Sequence, residues 1–148
     1  MILIALQERV MPSYIGIDFG LSKTGIAVGQ SITKTASALT TLHTHGKFNW
    51  QGLDKIIEQW QPEAIIIGKP LNEDGQPQLI SKQAHNFAKK VKNRYKITVF
   101  EVDERYSSMQ AQADFAAARK QGSAKRKHAQ NLDAHAAKNI LQRWLDNL

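Results

Sequence analysis

The chain has no cysteine, which removes disulfides and thiolate metal sites and fits a reducing cytosol. It also lacks any run approaching the roughly 18 apolar residues that a helix needs to cross a bilayer, so no membrane is expected. The opening segment, "MILIALQERVM", is apolar from Ile2 to Leu6 but has no basic stretch before it and no small-residue cleavage site after it. It does not read as a signal peptide, and a cytoplasmic protein is expected. Acids are scarce: 13 Asp and Glu stand against 20 Lys and Arg, for a formal net charge of +7. That excess favours a polyanionic partner, with nucleic acid first.

What is present suffices for one core. A hydrophobic share of 42% in 148 residues argues against disorder and matches the usual size of one domain. Met11 stands just ahead of the first strong strand pattern, so residues 1–12 are expected to be an extension outside the fold, disordered or paired at a sheet edge. Residues 13–148 then form a single domain. Ser13–Phe19 alternates, Gly20 breaks it, and Thr24–Gly29 and Ala38–His43 follow, which predicts an antiparallel meander. The period then changes. Asn49 can cap a helix over 50–60 that Pro62 closes, and "AIIIG", Ala64–Gly68, reads as a central strand covered on both faces. A helix from about Gln78 to Val91, a strand over Lys96–Val102, a helix over about 109–120 and a last helix from about Ala129 to Leu145 complete the chain. The order predicts an α/β fold, a mixed five-stranded sheet with helices on its faces.

Within "YIGIDFGLSKTGIAVG", Asp18 interrupts an otherwise buried strand. A buried carboxylate needs a proton, a partner or a metal. Further acids fall where α/β sheets place their sites, at the carboxyl ends of strands. "VDERYSS" puts Asp103 and Glu104 at the end of the last strand, and only one of that adjacent pair can face Asp18. Asp133 lies in the apolar stripe of the last helix, in register with Ala137, Ile140 and Trp144. Three acids gathered from two strands and a helix would repel one another. Mg²⁺ or Mn²⁺ resolves the repulsion, and two such ions can serve phosphodiester hydrolysis.

The blocks "GIDFGLSKTGIAVG", "IIGKPLNEDG", "DERYSS" and "NLDAHAAKNIL", in that order and spacing, resemble the YqgF family. These are pre-16S rRNA nucleases related to Holliday-junction resolvases of the ribonuclease H-like fold. The resemblance covers nearly everything from Ser13 onward. It implies that Asp18, Glu104 and Asp133 are the catalytic, metal-binding triad, choosing Glu104 over Asp103, with Asp18 bridging two ions. It also implies a role in trimming the 5′ end of the small-subunit rRNA precursor. Tyr106, Ser107 and Ser108 replace the family's usual Leu-Ser-Thr, and His135 is unexpected near such a site.

Around this centre, Gly20, Gly68 and Asn72 are candidates to line the cleft, because small residues permit close backbone approach. Lys23 and Arg105 are candidate phosphate contacts, although Arg105 could equally pair with a site carboxylate. The acid-free run "RKQGSAKRKH" puts Lys125, Arg126 and Lys127 just before the helix carrying Asp133. Contacts of this kind give salt-dependent, sequence-tolerant binding. Three other readings stand beside an rRNA nuclease. A resolvase of branched DNA would act as a symmetric homodimer. A non-catalytic RNA-binding assembly factor would be indifferent to metal. An ATPase of the actin-like kind needs a second domain that 148 residues cannot readily hold.

Overall fold

Strand β1, Ser13–Asp18, forms the centre of the sheet, and its alternation sets the layers on either side. Ile15 and Ile17 point to one face and are fully buried, whereas Tyr14, Gly16 and Asp18 point to the other. The computed structural model describes residues 12–70, 79–104 and 132–148. The expected extension over residues 1–12 (Pro12 apart), the helix at about 109–120 and residues 129–131 lie outside the described residues.

β1 pairs antiparallel with β2, Lys23–Gln30, and β2 pairs antiparallel with β3, Thr35–His43, forming the expected meander. β4, Ala64–Pro70, runs parallel to β1 on its other side, and β5, Thr98–Glu104, runs parallel to β4. The order across the sheet is β3-β2-β1-β4-β5. The "AIIIG" run is apolar throughout because both its faces are covered. Ile65 and Ile67 join one core, Ile66 the other, and none of the three has exposed surface. Each such buried isoleucine contributes about 2 kcal/mol.

Helix α1, Trp50–Trp60, and helix α2, Leu79–Tyr95, cover the first face. α1 starts where the Asn49 side chain accepts from the Gly52 N–H at 2.9 Å. It stops where Gln61 turns left-handed at φ 43° and donates its N–H to Ile57 O, ahead of Pro62. α2 runs four residues past the expected end at Val91 because tertiary bonds hold its last turn. Arg94 makes two bonds to the Asp54 carboxylate, at 2.8 and 2.7 Å, and Tyr95 donates to the same group at 2.6 Å. Lys96 then adopts φ 56°, so β5 starts at Thr98 rather than Lys96 and reaches Glu104.

Helix α3, Leu132–Asp146, covers the second face with Ala137, Ile140, Leu141 and Leu145. It seats unusually low on the sheet. A Cβ on Gly16 would lie 2.7 Å from Leu141 Cβ, and one on Gly25 would lie 1.8 Å from Asp133 O. Glycine at both positions lets helix backbone rest almost directly on strand backbone.

Candidate nuclease centre

Asp18 ends β1 on the α3 face, and its register partners are Gly25 on β2 and Gly68 on β4. The carboxylate therefore stands between two positions with no side chain. Asp133 O lies over Gly25, which places the first turn of α3 beside Asp18. Glu104 arrives from the other direction. It ends β5, two strands from Asp18, and its Cγ lies 3.4 Å from where a Gly68 Cβ would stand. Alternation along β5 sends Phe100, Val102 and Glu104 toward α3 and leaves Asp103 pointing away and exposed. Glu104 is buried, with 5% of its surface accessible.

The electrostatics follow from that placement. The Asp18 carboxyl is pushed up from 3.8 to about 7, first by burial and then by the negative charges of Asp133 and Glu104. Among the described residues no basic side chain forms an ion pair with it. Glu104 is also raised, by burial foremost. Its ion pair with Arg143 opposes the rise and the charge of Asp103 adds to it. Arg143, from the last turns of α3, donates from Nη2 to Glu104 Oε2. Among the described residues no three acids or imidazoles already stand as a coordination cage, and Glu104 is turned to the guanidinium. The available donors are nonetheless all hard carboxylate oxygens, one of them an anion destabilised for want of a cation. Such a set fits Mg²⁺ or Mn²⁺ rather than a soft metal.

The other expected positions divide. Gly20 closes the β1–β2 turn so tightly that a Cβ would meet Lys23 O at 2.2 Å, and Thr24 Oγ1 donates to Gly20 O at 3.3 Å. Gly68 lies beneath Ile140, whose Cδ1 a Cβ there would meet at 2.4 Å, with Glu104 Cγ alongside at 3.4 Å. Lys23 is exposed at the start of β2, on the face that Gly25 shares. Asn72, Arg105, Lys125, Arg126 and Lys127 lie outside the described residues. Arg143 escaped sequence reasoning. It meets Glu104 across 39 residues of chain, and a lone arginine near a helix end carries no sign of such a contact.

A central antiparallel meander extended by two parallel strands, with helices on both faces, defines a ribonuclease H-like protein. A solved structure of that class, Thermus thermophilus RuvC in complex with a Holliday junction substrate, aligns with a TM-score of 0.54, covering 92% of this chain and 94% of that one at 14% identity. Within the class, the chain belongs to the family described as "RuvX: Holliday junction resolvase", which matches residues 12–147 and corresponds to the YqgF resemblance. Relatives named "Putative pre-16S rRNA nuclease" include one from Xylella fastidiosa (strain M23), 42% identical over 132 residues. Another, from Xanthomonas axonopodis pv. citri (strain 306), is 38% identical over the same length. Each alignment covers 88% of this chain and 85% of the relative.

Proposed function

We propose that this protein is a divalent-metal-dependent nuclease that hydrolyses phosphodiester bonds in the cytoplasm, processing the 5′ end of the pre-16S rRNA. The observation that carries the reading is the partly buried Asp18 carboxyl, pushed up to about 7 by burial and by the charges of Asp133 and Glu104. A site that makes an anion costly while gathering more anions around it is built for a cation. The name shared by the relatives supplies the substrate.

Asp18, Glu104 and Asp133 would hold Mg²⁺ or Mn²⁺, two ions in all. The bound ions supply Lewis acidity and neutralise charge on the reacting phosphate. The protein's own part is placement. Gly25 and Gly68 leave room for α3 to seat Asp133 and Ile140 against the sheet beside Asp18. Arg143 fixes Glu104 in its buried position and balances its charge before the site is loaded. Lys23 at the rim is suited to contact a flanking phosphate, and Arg105, Lys125, Arg126 and Lys127 are assigned the same work.

Purified protein with Mg²⁺ or Mn²⁺ is expected to cleave a precursor rRNA fragment, and Asp18→Asn and Glu104→Gln to abolish cleavage. Cleavage by Asp18→Asn at the wild-type rate would remove the mechanism. A second reading, resolution of branched DNA, is favoured by the family description and requires a symmetric dimer. A strictly monomeric mass in solution would count against it.

A further inference from the structure

On the opposite face of the sheet from the three acids, a cavity of about 520 Å³ opens at the same end of β1. Its wall begins with Phe19, the residue directly after Asp18, so strand alternation puts the acid and the ring on opposite sides of one edge. Four aromatic rings converge there. Phe19 stacks on Phe87 at 4.6 Å, Trp50 stacks on Phe87 at 5.6 Å, and Phe48 sits edge-on to both Trp50 and Phe87, at 4.7 and 4.8 Å. Lys47 and Lys90 flank these rings, and among the described residues no acid lines the cavity. Gln83, on the same wall, has a buried Oε1 that no donor satisfies among the described residues.

We propose that this cavity holds an unpaired nucleotide of the substrate strand, next to the phosphodiester presented to the acids. The inference rests on the nuclease reading and adds to it the requirement for a single-stranded segment at the cleavage site. Each feature answers one part of a nucleotide. Aromatic faces stack on a base of any identity. Lysines without acidic neighbours take the phosphate. The Gln83 acceptor can take a donor such as the N–H that every nucleobase offers on its pairing edge when unpaired. A duplex would have that edge occupied and its base faces covered, so the cavity selects against it.

The test uses the full chain carrying Asp18→Asn, in EDTA, titrated with a single-stranded RNA oligonucleotide and with the blunt duplex of the same sequence. The single strand is expected to quench tryptophan fluorescence, and Trp50→Phe, which keeps an aromatic ring in place, is expected to remove most of the quench. Trp60 and Trp144 lie outside the cavity wall. Lys47→Glu with Lys90→Glu is expected to weaken single-strand binding by about tenfold, through the loss of phosphate contacts. The charge-matched pair Lys34→Glu with Lys55→Glu, on exposed positions away from the cavity, is expected to weaken it by less. Circular dichroism checks that each variant is folded. Equal binding by the two double variants, a quench that survives Trp50→Phe, or a duplex that binds as tightly as the single strand would each overturn the proposal. None of these outcomes depends on cleavage. The nuclease reading fails separately, if otherwise wild-type protein carrying Asp18→Asn still cuts RNA.

Discussion

Replacing Asp18 with asparagine should make the metal-free protein more stable, by an amount that grows as pH rises from about 4 to about 7. A carboxyl whose folded value is about 7 and whose ordinary value is 3.8 keeps a proton that the unfolded chain has already released. Stability therefore falls as pH rises between those two values, and the whole penalty is present above about 7. At about 1.4 kcal/mol for each tenfold change in acidity, the gap is worth roughly 4 kcal/mol. Asp18 keeps part of its surface in solvent, so about half of that, ~2 kcal/mol, is expected. For a chain of this size that corresponds to a rise in Tm of roughly 4–8 °C. Thermal unfolding of both proteins in EDTA at pH 8 and pH 4.5 makes the comparison. The variant should melt higher at pH 8 and nearly level with the wild type at pH 4.5. Added Mg²⁺ or Mn²⁺ should raise the wild type more than the variant. An Asp18→Asn protein no more stable at pH 8, or equally stabilised at both pH values, would refute the description of Asp18 as an anion held against its own charge.

Other outcomes follow from the same structure. Gly25→Ala puts a methyl group 1.8 Å from Asp133 O, so α3 must lift off the sheet. A loss of about 3 kcal/mol or more is expected in thermal melts, together with loss of cleavage. Arg143→Gln strips a buried carboxylate of its cation. Because Arg143 is itself 40% exposed, about 1–2 kcal/mol should be lost in EDTA, and divalent metal should restore stability to this variant more than to the wild type. Asp54, held down to about 2 by Arg94 and Tyr95, should keep its clamp between α1 and α2 across the mildly acidic range. The clamp should release only as pH falls through about 2, which NMR titration of the carboxyl would follow.

The core of the fold was legible because its signals are local. Alternation fixed β1, an unbroken apolar run fixed β4, and an Asn cap with a following proline fixed α1. Boundaries went astray where distant contacts decide them. The apolar spacing stops at Val91 and predicts the helix end there, yet Arg94 and Tyr95 are tied to Asp54 some 40 residues earlier. β3 begins at Thr35 rather than Ala38 because it borders the sheet, where "TAS" needs only a ladder with β2 and little burial. The acids themselves were legible because a carboxylate inside an apolar pattern is locally anomalous. Arg143 was not, since nothing near it in the chain records that Glu104 lies opposite. The aromatic cavity was equally hidden: Phe19, the Phe48–Trp50 pair and Phe87 come from three separate stretches and read singly as ordinary core residues.

The central claim is that Asp18, Glu104 and Asp133 together receive divalent cations. Anomalous diffraction from crystals soaked in Mn²⁺ tests it most directly. The account predicts a peak bounded by those three carboxylates, with Glu104 swung from Arg143 toward the ion. Manganese bound only elsewhere, with the Glu104–Arg143 pair intact at saturating metal, would contradict it.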